Sequence, residues 1–247
     1  IPVKSGARPY YDQVCDFIEQ HHAHIHEVAL VGGEPLMLPE NNRLLDVIPK
    51  DSIVTLITNL SVDLENNKIF QKLATRNKVG WSMSFDNVGN QLEYVRHGAA
   101  WDKIKHNFAL IKDLMTTQGQ WGGIHAVYNM YNATRICELR EFAEETGTSV
   151  LWQNLFQPEY LDPFLHGPKV AALAAAEIEK FYAMDIATPA EKQFFDQALD
   201  RYRAVTSTTD DITEQFKNHI QEIETKYHPD SLGKFAKLWP ELDKIYV

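Results

Sequence analysis

The sequence is poor in cysteine, in clustered basic residues and in long apolar runs. Its 247 residues include two cysteines, which excludes a disulfide framework and favours a reducing compartment. The formal net charge of -10 argues against nucleic acid as a partner, because phosphate binding requires a basic face. No apolar stretch approaches the roughly 20 residues of a bilayer span, and the N-terminal stretch lacks the apolar core of a secretory signal. We therefore expect a cytoplasmic protein without a membrane or nucleic-acid partner.

Short apolar runs rich in β-branched residues alternate with longer segments of helical spacing in the first two thirds of the chain. The five apolar runs lie at 26–32, 52–58, 79–85, 122–129 and 148–155. Strands that alternate with helices predict βαβ units and an α/β fold with a parallel sheet. The pattern fits a partial (β/α) barrel or an open doubly wound sheet, and "VALV" at 28–31 favours strands covered by helices on both faces.

The character of the sequence changes near residue 158, where a connection interrupted by prolines begins. Beyond it we expect amphipathic helices and no strand, so the predicted division is a barrel-like domain at 1–158 and a helical C-terminal region at 159–247. Pro189 is expected at the first position of one of these helices. In the first domain, Thr134 is expected to N-cap a helix that ends before Gly147.

Polar or turn-forming residues follow all five predicted strands. In a parallel α/β protein the carboxyl ends of the strands meet at one face, which is where ligands bind. The polar residues at these ends are Glu34, Asn59, Ser84, Asp86, Asn129 and Asn132. Loops after strands are polar in any case, so this pattern alone leaves a ligand site and an ordinary loop surface both open.

Three of these strand endings, together with a motif that follows the third, resemble motifs of the radical S-adenosylmethionine (radical SAM) superfamily. The motifs are GGEP at 32–35, TN at 58–59, S-x-D at 84–86 and R-x-G at 96–98. They occur in the order and on the elements of members related to peptide-modifying enzymes and of members with a short C-terminal twitch segment. The resemblance covers roughly residues 10 to 158, and it implies an incomplete TIM-type (β/α) barrel that lacks its first strand.

The resemblance also implies where S-adenosylmethionine binds. Glu34, at a turn of two glycines, would face the ammonium of the cofactor, and Arg96 would pair with its carboxylate. Ser84 and Asp86 would face the ribose and carboxylate. The full set of cofactor-binding residues implied by the resemblance is Gly32, Gly33, Glu34, Asn59, Ser84, Asp86, Arg96, Asn129 and Gln157.

The sequence departs from the family at the iron–sulfur centre. The superfamily holds a four-iron, four-sulfur (4Fe-4S) cluster with a C-x3-C-x2-C loop, and no such motif is present. Cys15 and Cys137 fall on predicted helices and cannot replace it. We expect the cluster ligands in sequence upstream of Ile1, so this chain alone is predicted to be inactive. A natural relative that has lost the cluster is the alternative.

In its intact form, the protein is expected to cleave S-adenosylmethionine reductively to a 5′-deoxyadenosyl radical. That radical would abstract hydrogen from a substrate, for which the resemblance suggests a peptide or protein, and a reductant would supply the electron. Two other classes stay open: a binding or scaffold protein without the cluster, and an unrelated α/β-barrel hydrolase or isomerase that uses Glu34 and Asp86 as acid and base. A His22–His26 metal pair and an Asp86–Glu93 carboxylate pair have less support.

Overall fold

The five strands form one parallel sheet in the order β1-β2-β3-β4-β5. The structure is a computed structural model that describes residues 8–208, 210–231 and 233–246. The strands are β1 Glu27–Leu30, β2 Ile53–Thr58, β3 Val79–Ser84, β4 Trp121–Tyr128 and β5 Val150–Asn154. Each falls within one of the five apolar runs of the sequence or extends it by one residue. No closed barrel is found among the described strands.

Helices connect the strands and make up the C-terminal part of the chain. They are α1 Arg8–Gln20, α2 Pro39–Val47, α3 Lys68–Leu73, α4 Gly89–Val95, α5 Trp101–Thr117, α6 Ile136–Glu145, α7 Gly167–Ala183, α8 Pro189–Arg203, α9 Asp210–Tyr227, α10 Lys234–Leu238 and α11 Pro240–Tyr246. Short 3-10 helices occur in the connections, among them Pro35–Met37 after β1. In the part of the chain that the structure describes, no helix is long and apolar enough to cross a membrane.

The chain divides into two compact units. Unit 1 runs from the first described residue to Ser84 and includes Asp102–Gly123, and unit 2 comprises Phe85–Trp101 and the chain from Ile124 onward. These units do not coincide with the two domains, 1–158 and 159–247, that the sequence predicts. The boundary at residue 158 stays a prediction.

Unit 1 buries one face of its strands and leaves the other face partly open. In β2, Val54, Leu56 and Thr58 are at most 1% exposed, whereas Ile57 is 36% exposed. Leu56 lies opposite Trp81 of β3, whose ring contacts Phe70 of α3 at a centroid distance of 5.8 Å. Within this unit the helices cover the face of β2 that carries the buried side chains. In β1, where the sequence predicts covered faces at 28–31, Leu30 is buried but Val31, directly after the strand, is 59% exposed.

Unit 2 is organised around an aromatic core. Tyr94 of α4 and Tyr131 after β4 pack with Trp239, which is fully buried, at centroid distances of 5.4 and 5.3 Å. Residues of α7, α9, α10 and α11 complete this cluster. The C-terminal helices of unit 2 thus pack around the segments that follow β3 and β4, where the sequence places part of its candidate site.

The expected helix ends fit at Pro189 and Gly147 but not at Thr134. Pro189 begins α8 after the N-cap Thr188, and Gly147 has a φ of 60° just past the end of α6. Thr134 does not cap α6, whose N-cap residue is Arg135. Its hydroxyl instead donates to Glu241 Oε1 of α11 at 2.8 Å, so a tertiary hydrogen bond replaces the expected local one.

Candidate functional site

The turn after β1 has the backbone conformation that its glycines predict. Gly32 and Gly33 have φ angles of 87° and 57°, in the left-handed region that is costly for other residues. A Cβ atom built on either glycine meets nothing within 4 Å, so open space adjoins this backbone. Glu34 follows in an extended conformation and is 9% exposed. The turn therefore carries an accessible backbone next to a nearly buried carboxylate.

The carboxylate of Glu34 connects the ends of β1 and β2. Oε1 accepts hydrogen bonds from Leu36 N at 3.2 Å and Thr58 Oγ1 at 2.9 Å, and Oε2 accepts one from Asn59 N at 2.8 Å. The bond to Leu36 N caps the 3-10 helix that begins at Pro35. A carboxylate has about four acceptor positions. Three are therefore used by the chain itself, which leaves one for a ligand.

Asn59 and Ser84 lie at the ends of their strands, as expected, but with different surroundings. Asn59 uses its side-chain oxygen to accept from Ser61 N at 2.9 Å, and its backbone N–H binds Glu34. Its side chain therefore shapes the turn after β2. Ser84 is the last residue of β3 and is half-buried. Of the predicted residues in unit 1, the structure joins Glu34 and Asn59 directly.

Asp86 and Arg96, both in unit 2, form an ion pair. Arg96 Nη2 lies 3.2 Å from Asp86 Oδ2, and the two side chains are 26% and 17% exposed. Asp86 Oδ1 accepts from the backbone N–H of Val127 in β4 at 2.7 Å. Asp86 thus holds both the end of β4 and the guanidinium, and a ligand carboxylate would share Arg96 with it.

Two asparagines shape the loop after β4. Asn129 Oδ1 accepts from Tyr131 N at 2.8 Å, and Asn132 Oδ1 accepts from Asn129 N at 2.8 Å. Asn132 Nδ2 also donates to the backbone oxygen of Asp86 at 3.1 Å, which ties this loop to the segment after β3. Gln157 lies on the loop after β5 and is exposed.

A cavity of about 350 Å³ in unit 2 brings three of the predicted residues together. Asp86, Arg96 and Asn129 line it. The wall also includes residues that sequence reasoning did not select: Asn87, Tyr94, Val95, His97, Tyr131, Leu161, His219, Ile223 and Tyr227. Since α9 contributes His219, Ile223 and Tyr227, the helical C-terminal region takes part in this cavity.

Unit 1 also has a cavity of about 520 Å³, but it lies away from the strand ends that carry the candidate site. Its wall includes Asp51 and Lys78, which precede β2 and β3. Its cationic groups bind the chain itself: Arg76 donates to the backbone oxygens of Ile48, Pro49 and Ser52, and Lys72 pairs with Asp46. These contacts give the cations a structural role.

The remaining polar groups of interest are dispersed. The histidines from His21 to His26 are exposed around a 3-10 helix, and Glu93 accepts from Trp101 N at 2.8 Å at the start of α5. Cys15 and Cys137 are free and buried. Burial raises the pKa of the Cys137 thiol to about 12, which opposes the thiolate form that binds iron. Within residues 8–208, 210–231 and 233–246, no group of three or more His, Cys, Asp or Glu could hold a metal ion.

Solved structures of radical SAM proteins share the fold of this chain. Native anSMEcpe with bound AdoMet (S-adenosylmethionine) and Cp18Cys peptide matches with a TM-score of 0.50 and 17% identity, over 70% of this chain and 52% of that one. Streptococcus suis SuiB bound to S-adenosylmethionine matches with a TM-score of 0.53 and 16% identity, over 72% of this chain and 40% of that one. SuiB bound to precursor peptide SuiA gives the same TM-score. No protein family model and no curated protein sequence matches the chain.

These matches confirm the resemblance to radical SAM proteins in fold alone. The architecture common to them is a parallel sheet flanked by helices, in the manner of a partial TIM barrel. This chain spans about half the length of anSMEcpe and 40% of SuiB.

Proposed function

We propose that this chain is the S-adenosylmethionine-binding part of a radical SAM enzyme that acts on a peptide or protein. The observation that carries the proposal is the turn after β1, where two glycines with positive φ precede a carboxylate at the carboxyl end of a parallel strand. The shared fold supports it, as do the cofactor and peptides bound to anSMEcpe and SuiB.

The residues of unit 1 suit the amino end of the cofactor. Gly32 and Gly33 leave their backbone open to a ligand, and Glu34 keeps one acceptor position for an ammonium. Asn59 and Ser84 are proposed to contribute at the neighbouring strand ends. A bond between an ammonium and a carboxylate is charge-assisted, which makes it stronger than a neutral hydrogen bond.

The residues of unit 2 suit a carboxylate and a hydroxyl-bearing group. Arg96 offers five N–H donors in a planar fork, so it can bind a ligand carboxylate while it pairs with Asp86. Asn129 and Gln157 complete the proposed set on the loops after β4 and β5. The chemistry that the bound cofactor supplies is reductive cleavage at its sulfonium, followed by hydrogen abstraction from the substrate.

The described residues do not fit the 4Fe-4S cluster. Cys15 and Cys137 are buried on separate helices, and burial raises the pKa of both thiols. In the proposal, the cluster is therefore held by residues other than those described, in the intact protein, and a reductant supplies its electron. The role of this chain is to bind and orient the cofactor.

Nuclear magnetic resonance of the 15N-labelled chain tests the proposal, because it detects weak binding residue by residue. Added S-adenosylmethionine should shift the backbone amides of Gly32, Gly33 and Asn59 in a saturable way. Arg96→Gln should weaken this binding by at least about tenfold, since a charge-assisted hydrogen bond contributes roughly 1.5–3 kcal/mol. The matched control is Arg203→Gln, which removes an exposed ion pair with Asp200 and should leave the affinity unchanged.

The outcome that overturns the proposal is a titration in which none of these three amides moves at any soluble concentration of S-adenosylmethionine. Equal weakening by Arg96→Gln and Arg203→Gln would remove the role proposed for Arg96 while leaving the turn in place. Methionine and adenosine, titrated separately, show which half of the cofactor shifts the amides of Gly32, Gly33 and Asn59.

A further inference from the structure

The segment that carries Arg96 is bounded by glycines and contains only a short helix. Gly89 and Gly98 have φ angles of 58° and 83°, and the helix between them, α4, has seven residues. Its N-cap residue, Val88, makes no side-chain hydrogen bond to the helix. Because isolated helices of fewer than about 12 residues are marginal in water, α4 depends on contacts with the rest of unit 2. The position of Arg96, directly after α4, depends on the same contacts.

The carboxyl end of α9 supplies two such contacts, one on each side of Arg96. The ring of His97 stacks on that of Tyr227, with the centroids 4.3 Å apart and the planes at 25° to each other. The ring of His228 stacks on that of Tyr94, at 5.1 Å and 11°. Two consecutive residues of the C-terminal region therefore hold the residue after Arg96 and the residue two positions before it.

His228 also bonds to the backbone of α4. Its Nε2 atom lies 3.3 Å from the carbonyl oxygen of Tyr94. A carbonyl oxygen only accepts, so this contact assigns the proton to Nε2 and makes the imidazole the donor. The last carbonyls of a helix lack partners within it, and a histidine beside the helix end can supply one. His228 thus contacts the end of α4 through both its ring face and its N–H.

The helix that makes these contacts is anchored in the aromatic core of unit 2. Phe216 of α9 is fully buried in that core, and Ile223 is 8% exposed. Tyr227 lies about one turn after Ile223 and is half-buried, whereas His97 is exposed. The stack of His97 on Tyr227 therefore joins a segment at the surface to a helix that is held in the core.

Contacts on both sides of Arg96 restrict its backbone, because each planar peptide bond leaves two soft dihedrals per residue. The side chain of Arg96 lies next to Asp86, whose Oδ2 is 3.2 Å from Arg96 Nη2. Arg96, Asp86 and Tyr227 line the same cavity. An arginine that is already held in place loses less conformational freedom when a ligand binds, which raises the affinity.

We propose that Tyr227 and His228 are positioning residues that hold Arg96 in place for the carboxylate of its ligand. The inference rests on the proposed function, in which that carboxylate belongs to S-adenosylmethionine. It extends the binding site from the strand ends to the end of α9. The helical C-terminal region then contributes to affinity through two residues that act on Arg96 rather than on the cofactor itself.

The order of the Arg96 side chain in the ligand-free chain tests the proposal. The heteronuclear NOE of its Nε–Hε group, assigned as the signal that Arg96→Gln removes, should be close to that of the ordered backbone. Tyr227→Ala should lower this NOE towards that of the exposed Arg203. It should also weaken S-adenosylmethionine binding by about fivefold, or about 1 kcal/mol, the cost of immobilising one side chain. Tyr227→Phe keeps the ring and should restore both values.

A double-mutant cycle isolates the stack from any general loss of stability. His97→Ala removes the other ring of the stack at an exposed position, so the chain should stay folded, and it should lower the Arg96 NOE as Tyr227→Ala does. The double variant should show no further loss, because both changes remove the same contact. His228→Ala should lower the Arg96 NOE through its separate contact with Tyr94.

The matched control is Tyr182→Ala. Tyr182 is also half-buried in unit 2, and its hydroxyl bonds to Lys192 O and Asp196 Oδ1. This variant should leave the Arg96 NOE and the affinity unchanged. An unchanged Trp239 indole resonance in each variant shows that the aromatic core is intact.

The proposal is overturned if Arg96 keeps its NOE in both Tyr227→Ala and His228→Ala, or if Tyr182→Ala lowers it equally. It is also overturned if the effects of His97→Ala and Tyr227→Ala add, or if the NOE falls while the affinity does not. Absence of binding to the wild type would instead overturn the proposed function. The NOE comparison needs no ligand, so it would still decide whether the end of α9 orders Arg96.

Discussion

Replacement of Glu34 by glutamine tests the central contact of unit 1. The carboxylate accepts from Leu36 N and Thr58 Oγ1 on one oxygen and from Asn59 N on the other. Glutamine has the same shape, but one of its two terminal atoms is a donor. Whichever way the amide is oriented, a backbone N–H, that of Leu36 or of Asn59, faces an NH₂ group. The Thr58 hydroxyl can rotate, but it already accepts from Leu60 N at 3.1 Å.

The expected loss of stability follows from the number of hydrogen bonds that the substitution removes. One charge-assisted hydrogen bond disappears and one buried donor is left unpaired, which together cost about 2–3 kcal/mol. For a chain of this size, that corresponds to a melting temperature lower by about 5–10 °C. The measurement is urea and thermal unfolding followed by circular dichroism at neutral pH.

The matched control is Glu19→Gln on the exposed side of α1, which should change the free energy of unfolding by less than about 0.5 kcal/mol. If the Glu34→Gln and Glu19→Gln variants have the same free energy of unfolding, the reasoning is refuted. That result would mean that the three hydrogen bonds of Glu34 do not hold the turn.

Three further predictions concern residues outside the candidate site. Thr188→Ala should lower the free energy of urea unfolding by about 1 kcal/mol, because Thr188 and Glu191 form a capping box at the start of α8. Thr188→Ser should retain the stability of the wild type. If it does not, the cap is not the cause of the loss. The Cys137 thiol, whose pKa burial raises to about 12, should resist a thiol reagent at pH 8 until urea unfolds the chain; rapid labelling of the native chain would contradict this. Burial lowers the pKa of His166 to about 4 from the 6.5 of an exposed histidine. The unfolded chain therefore takes up this proton first, and the contribution of neutral His166 to stability is complete above pH 6.5 and is lost as the pH falls towards 4. The free energy of unfolding of the wild type relative to His166→Gln should fall by roughly 3 kcal/mol over that interval, and a constant difference would show that His166 is not buried as a neutral ring.

The sheet could be predicted from the sequence because its signals are local. Each strand lies in an apolar run of β-branched residues, and the helices between them follow a period of 3.6 residues. Helix α4 was not predicted, since Gly89–Val95 is too short to show that period. The open face of β2 was not predicted either, because the apolar Ile57 gives no sign in the sequence of whether a helix covers it.

The turn of the candidate site was predictable for the same reason, whereas its hydrogen bonds were not. Two adjacent glycines directly after an apolar run favour a turn with positive φ, whereas Gly122 and Gly123, which lie at the start of such a run, belong to β4. The partners of Glu34, by contrast, include Thr58 and Asn59, which are 24 and 25 residues away and meet it only when β1 and β2 pair. A sequence motif identifies the residue at a position, whereas the pairing of the strands determines which groups that residue contacts.

The two roles of Glu34 determine how its variants should be interpreted. A change to alanine removes three hydrogen bonds within the chain together with the one position left for a ligand, so weaker cofactor binding would not distinguish a lost contact from a lost turn. The backbone amides of Gly32 and Gly33 report on the turn itself. Their chemical shifts in the ligand-free Glu34→Gln variant show whether the conformation of the turn persists. If those shifts are unchanged and binding is weaker, the fourth acceptor position of Glu34 is used by the ligand. If the shifts move before any ligand is added, the acid acts on the cofactor through the turn that it holds.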